Sequence, residues 1–355
     1  MNKLLGEYEN GNFTVRIFKD GTKVRKTNNE DDTVFIPKFA ENIDLKITDK
    51  CSGENCAWCH EGSSPGGKHG NIMGERFIDT LKPWQEVAIG GGNVLEHPSL
   101  VPFLRKLKFR NVITNITVNQ FHFIQNQELI KQLVDEKLIY GLGISLMDPN
   151  EEFISLIKTY PNAVIHVING IVQGHQINKL RGHDLKLLIL GYKKLRRGTS
   201  YYEKEEPLIS QRMRWMYDHL SDFMNDFQTV CFDNLALEQL NVKRLLTNEE
   251  WEKFYMGDDA MFTFYIDMVQ RTFAKNSMEP LDSRYDLLDD VVDMFTVIKN
   301  SEHLRQLSEH VYCTCCRHFK MTQDESPDCN YKDVCNLYEP EDSKPYKERP
   351  YYEPI

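Results

Sequence analysis

Cys51, Cys56 and Cys59 fall within nine positions, in the stretch DLKITDKCSGENCAWCH that runs from Asp44 to His60. Paired as disulfides they leave one thiol over, and a closed tetrahedral zinc site needs a fourth ligand. Three thiolates can instead hold three irons of a [4Fe-4S] cube, whose inorganic sulfide completes each iron's shell. The fourth iron then keeps an open position, by the logic that separates catalytic from structural zinc. If an amino acid's amine and carboxylate chelate that iron, an electron can enter a neighbouring sulfonium. Two plainer readings stand beside this one. Zinc held by the three thiols with His60 or His69 uses the right ligand types, and three unrelated surface cysteines would be an oxidation liability.

Other residues could add to such a site. Gly90, Gly91 and Gly92 lead into Asn93 directly after the apolar run EVAIG. Glycines at a strand's end let a ligand touch backbone without a Cβ in the way, and their amides can bind a charged group; a tight turn explains the same run. Asn119, Ser145, His166 and Asn169 lie in or just after candidate strands. Ser145 can equally cap a helix, and His166 can be a hydrogen-bonded core histidine. Asp258 and Asp259 could bind an amine or act as acid and base, or serve as a helix cap. Lys193, Lys194, Arg196 and Arg197, followed by Tyr201 and Tyr202, could hold a phosphate and stack a base, or form a solvated loop. Asn119, His166, Asp258 and Asp259 are the catalytic candidates.

The elements that must position these residues alternate in type. Short apolar runs at 43–48, 86–90, 111–118, 140–146, 163–169, 184–190 and 229–233 are separated by helical patterns such as QELIKQLVDEK and EEFISLIK. That repetition predicts an α/β fold with a parallel sheet, a partial (β/α)6-type barrel with its functional groups at the carboxyl ends of the strands. Asn-Gly and Asp-Gly pairs within residues 7–26 predict an antiparallel β-hairpin extension ahead of it. The expected organisation is an extension over 1–40, a core barrel over 41–235, a mixed, mainly helical region over 236–310 and a Cys-rich tail over 311–355.

Bulk properties narrow the classes. The chain has 355 residues, 41% hydrophobic and 27% charged, which fits a globular protein. No stretch approaches the ~18 apolar residues of a membrane span, and the amino terminus has no signal-peptide core, so the cytoplasm is expected. A net charge of −10 argues against binding nucleic acid through a generally basic surface. Eight of nine cysteines form two groups, which in a reducing compartment points to metal or catalysis. The exception, Cys231 in TVCF, reads as a small buried hydrophobe. The second group, Cys313, Cys315, Cys316, Cys329 and Cys335, could hold a second Fe–S cluster, zinc or no metal.

The cysteine triad with Trp58 just before its last member, and the glycine run after the second strand, resemble the radical S-adenosylmethionine (radical SAM) superfamily over about residues 42–233. CHEGSSPGGKHG, AIGGGN, TVNQ, HVINGI, LILGYK, FDNLALEQL and MGDDAMFTFYIDMV are similar to an uncharacterised radical SAM group of phages and bacteria. The resemblance implies that Cys51, Cys56 and Cys59 bind a [4Fe-4S] cluster. Trp58 would lie against the adenine of S-adenosylmethionine, Gly90 to Asn93 would meet its methionyl amine, and Ser145 and Asn169 would complete the pocket. Reductive cleavage would give a 5′-deoxyadenosyl radical that abstracts hydrogen from a peptide, a nucleotide or another small metabolite, with an electron donor such as flavodoxin or ferredoxin. Two departures stand out. Four residues separate Cys51 from Cys56 where three are usual, and Asn93 stands where an acid usually ends the glycine run. The contrasting class is a zinc-stabilised scaffold or nucleic-acid-binding module without chemistry.

Overall fold

The computed structural model describes residues 3–53 and 56–302 in full, and residues 303–309, 319–321 and 327–329 by their backbone. Two compact units divide the chain, 1–294 and 295–355.

The first unit opens with an antiparallel meander, β1 (Leu4–Asn10), β2 (Phe13–Phe18) and β3 (Lys23–Thr27). Both expected turns are present, with Gly11 and Gly21 at positive φ, so the hairpin expected from sequence gains a third strand. Alternate β2 residues Phe13, Val15 and Ile17 pack with Ile113 and Phe262, flanked by Trp84 and Tyr140. Those four partners sit at or just before the first residue of a sheet strand. The meander therefore covers the amino ends of the sheet and leaves the carboxyl ends open.

Seven strands then pair in chain order, all parallel: β4 (Asn42–Thr48), β5 (Glu86–Gly91), β6 (Ile113–Asn119), β7 (Gly141–Ser145), β8 (Ala163–Ile168), β9 (Lys186–Leu190) and β10 (Thr229–Phe232). Between and after them lie α1 (Leu100–Phe109), α2 (Gln120–Gln125), α3 (Gln127–Asp135), α4 (Glu151–Ile157), α5 (Gly174–Leu180), α6 (Arg197–Phe223) and α7 (Asn234–Leu240). The long helix α6 buries Ile209, Met216, Leu220 and Phe223, a stripe at helical spacing.

The sheet is linear in order, β10-β9-β8-β7-β6-β5-β4-β11-β12-β13, ten largely parallel strands as the α/β reading expects. The region after 236 is mixed, with three short strands beside its helices. Beyond α8 (Asn248–Phe254), β11 (Thr263–Asp267) joins β4 in parallel, and β12 (Thr272–Ala274) and β13 (Tyr285–Asp286) extend the edge antiparallel. Four of the five β11 residues are buried, and such a run lacks the period of two that separates a strand from a buried helix. Finally, Cys231 is exposed on β10, the edge strand, rather than buried.

The helix α9 (Val291–Glu309) lies in the region expected to be mainly helical, and in the second unit β14 (Phe319–Met321) pairs antiparallel with β15 (Pro327–Cys329). Cys313, Cys315, Cys316 and Cys335 lie outside the described residues, and of Cys329 only the backbone is described. Among the described residues no helix is long and apolar enough to cross a membrane.

Candidate functional site

A cavity of about 560 Å³ lies at the carboxyl ends of the parallel strands. Residues two apart on a strand share a face, and Asp44 and Lys46 of β4, Ala88 and Gly90 of β5, and Thr117 and Asn119 of β6 accordingly line it together. In-register pairing sets Asn119, Ser145 and His166 side by side across β6, β7 and β8. From the loop after β4 come Cys51, Cys56, Trp58 and Cys59, with no disulfide among the thiols. Four of the predicted residues, Asn169, Asp258, Asp259 and Asn93, are engaged elsewhere and do not line the cavity. Asn169 donates to Gln239 Oε1 at 3.1 Å, Asp258 accepts from the Tyr255 hydroxyl, and Asp259 accepts from Asn234 and Asn276 at 2.7 and 2.6 Å. The fourth, Asn93, is buried behind the glycine run.

The glycine run does different work at each position. The Gly92 amide donates to Thr48 O and the Asn93 amide to Lys50 O, both at 2.7 Å. A Cβ would come within 2.4 Å of Thr48 O from Gly91 and 2.1 Å of Lys50 O from Gly92. Those two glycines are needed because the cysteine loop's backbone lies against them, and the amides of Gly92 and Asn93 are committed to it rather than available to a ligand. Gly90 alone has nothing within 4 Å of its missing Cβ. Asn93 donates to Glu96 Oε1 at 2.9 Å, and Glu96 accepts the Ser52 amide at 2.8 Å and the Ser52 hydroxyl at 2.9 Å. An acid therefore stands three residues further on and grips the cysteine loop.

The start of α6 closes the loop from the other side. Arg197 Nε donates to Cys56 O at 3.1 Å and Arg196 to His60 O at 3.0 Å. The Trp58 ring meets Tyr201 edge-on at 5.7 Å, which holds one aromatic face against the cavity wall. The basic and aromatic run predicted here is thus divided: Lys193 and Tyr201 line the cavity, whereas Lys194 sits over the Tyr202 ring.

Burial, and then the proximity of Cys56 and Cys59, push the Cys51 thiol up to about 11. Three thiolates so placed repel one another, and a cationic metal centre removes that repulsion. Donor type and number suit an Fe–S cluster that Cys51, Cys56 and Cys59 would hold. The histidines considered as a fourth zinc ligand are engaged elsewhere. His69 Nδ1 lies 2.8 Å from Thr48 Oγ1, and His60 Nε2 lies 3.3 Å from Glu61 Oε1. Among the described residues no three His, Cys, Asp or Glu side chains are arranged to hold a single metal ion.

Sequence reasoning missed a buried charge cluster beside the thiols. Lys46, 2% exposed, places Nζ 2.6 Å from Asp49, 2.9 Å from Glu61 and 3.2 Å from Asp267, and Arg284 approaches the same Asp267 oxygen at 3.4 Å. Burial alone would lower the Lys46 ammonium, but the carboxylates outweigh it and raise it. The available signal was a lysine inside the apolar run IDLKIT. Also missed was His122, whose Nε2 lies 3.4 Å from Cys51 Sγ. Burial pushes His166 down to about 4, so its imidazole is neutral at pH 7. It crowds Gly143, where a Cβ would fall 2.3 Å from His166 Cε1.

No family model and no curated protein matches this sequence. Solved structures do resemble its fold. Streptococcus suis SuiB bound to S-adenosylmethionine aligns over 83% of this chain and 88% of its own, with a TM-score of 0.51 and 11% identity. SuiB bound to precursor peptide SuiA aligns over 78% and 83%, with a TM-score of 0.47 and 12% identity. At such identities the likeness is one of fold alone.

Proposed function

We propose that the chain is a radical SAM enzyme that binds S-adenosylmethionine in the cavity at the carboxyl ends of β4–β8. One observation carries this reading: Cys51, Cys56, Cys59, Trp58 and Gly90 line a single cavity in a chain whose fold resembles that of an S-adenosylmethionine-bound protein. A [4Fe-4S] cluster, when bound, supplies the electron that cleaves S-adenosylmethionine to methionine and a 5′-deoxyadenosyl radical.

The chain's own residues bind, orient and shield. Trp58, braced by Tyr201, offers the adenine a ring face. Gly90 lets the methionyl group approach bare backbone, and Ser145, beside Asn119 and His166, offers a hydroxyl to the ribose or carboxylate. Val167, Ile168, Val172 and Leu190 line the same cavity and keep water from a reactive intermediate. Neutral His166 can give or take a hydrogen bond without placing a cation in the pocket. The substrate belongs to one of the two classes named from sequence, a peptide or a nucleotide-like metabolite, and a flavodoxin or ferredoxin supplies electrons.

The test is anaerobic reconstitution with iron and sulfide, followed by dithionite and S-adenosylmethionine. About four irons per cysteine triad and release of 5′-deoxyadenosine are expected, with both lost in Cys56→Ala. Protein that takes up zinc alone and makes no 5′-deoxyadenosine overturns the reading.

A further inference from the structure

The four residues Asn119-Gln120-Phe121-His122, at the junction of β6 and α2, grip the cysteine loop at three points. Asn119 Nδ2 lies 3.8 Å from Cys56 Sγ, within reach of a hydrogen bond to sulfur, and His122 Nε2 lies 3.4 Å from Cys51 Sγ. Between these two cysteines Gly53 turns at a φ of +97°, and its missing Cβ would fall 2.6 Å from Phe121 Cε1. The fourth residue, Gln120, faces away and fixes the junction itself. Its Nε2 donates to Asp148 O at 2.7 Å, while Oε1 accepts from the Met147 and Asp148 amides at 2.8 and 3.0 Å. His122 and Gln120 are almost fully buried, and Asn119 Oδ1 accepts the Phe121 amide at 2.8 Å. Both donors are therefore held in place before any ligand arrives.

We infer that Asn119 and His122 are positioning residues that set the reduction potential of the cluster proposed above, by donating N–H groups to two of its three cysteine sulfurs. This rests on the radical SAM reading and assigns Asn119 a role other than catalysis. A thiolate that ligates iron can only accept, so the His122 nitrogen facing Cys51 must carry its proton. A reduced cluster is more negative than an oxidised one, so donors at its sulfurs favour the reduced form and raise the potential. Both contacts come from one rigid junction, so their effects share one geometry and act in the same direction.

The experiment is a redox titration of the anaerobically reconstituted full chain, read by the EPR signal of the reduced cluster. His122→Leu and Asn119→Ser each remove one donor, and serine keeps an oxygen to cap α2. Each is expected to shift the reduction equilibrium about tenfold toward the oxidised form, about 59 mV more negative for a one-electron couple. The double variant should move further, and His122→Gln, which retains an N–H, should return toward the wild-type value. His122→Leu and Asn119→Ser proteins that load iron like wild type and titrate at its potential overturn the inference alone. Wild-type protein that builds no cluster overturns the functional reading, and this inference with it. Should His122→Leu fold poorly, Asn119→Ser and His122→Gln decide the matter.

Discussion

Glu96 receives Ser52 twice, its two carboxylate oxygens accepting the amide at 2.8 Å and the hydroxyl at 2.9 Å. Burial alone would raise the Glu96 carboxyl, but the hydrogen bonds from Ser52 and Asn93 and the nearby His122 outweigh it and hold it below the ordinary range. The residue after the first cysteine is thereby fixed to the segment after β5. Glu96→Ala leaves the Ser52 amide without its acceptor, and hydrogen bonds to a charged group are worth about 1.5–3 kcal/mol each. The expected outcome is a fall in urea stability within that range and fewer irons per chain after reconstitution, with iron content the more sensitive measure.

Gly90→Ala and Gly92→Ala should separate binding from folding. A methyl at Gly90 meets no atom within 4 Å and projects into the cavity. Its stability should stay within about 0.5 kcal/mol of wild type, while S-adenosylmethionine binds at least about tenfold more weakly, some 1.4 kcal/mol. At Gly92 the methyl would collide with Lys50 O, and such overpacking against backbone costs about 1–3 kcal/mol or more. Urea unfolding and equilibrium binding to the reconstituted protein distinguish the two. Equal effects on both measurements would contradict the division of roles within the run.

His166 gives a pH signature. Its imidazole ordinarily titrates at 6.5, and burial lowers this to about 4 in the folded chain. Above pH 6.5 neither state binds the proton. Between 6.5 and 4 the unfolded chain is protonated and the folded one is not, so stability falls as pH is lowered through that window and levels off below it. The size is at most about 3 kcal/mol. Urea unfolding at pH 7.5, 5.5 and 4.5 should show a steeper acid loss in wild type than in His166→Gln. Parallel curves would mean that the histidine is hydrated in place.

All seven strands of the parallel run were legible from sequence because each is a short apolar segment flanked by helical periodicity. The thiols, Trp58, Gly90, Ser145 and His166 were legible too, since a residue at the carboxyl end of a parallel strand, or in the loop that follows, faces one side of the sheet whatever its partners. What escaped notice depends on contacts between distant segments. The roles of Gly91 and Gly92 are fixed by Thr48 and Lys50, and the grip of His122 on Cys51 spans 71 positions. The fourth residue between Cys51 and Cys56 reads as an oddity in sequence. In three dimensions Gly53 turns back at positive φ with Phe121 packed against it, and Ser52 is tied down by Glu96.

Lys46 also ties the start of the sheet to a strand made much later in the chain. Two of its carboxylates, Asp49 and Glu61, leave the ribosome soon after it does, but Asp267 follows more than two hundred residues later on the strand that covers the outer edge of β4. A nascent chain released only through β10 already holds every cysteine of the first group, Trp58 and Gly90. It still has β4 as an unpaired edge and a buried ammonium short of one counter-charge. The charge cluster beside the thiols is therefore completed only once β11 is made, after the residues that grip the cysteine loop, Glu96, His122, Arg196 and Arg197, have already been translated.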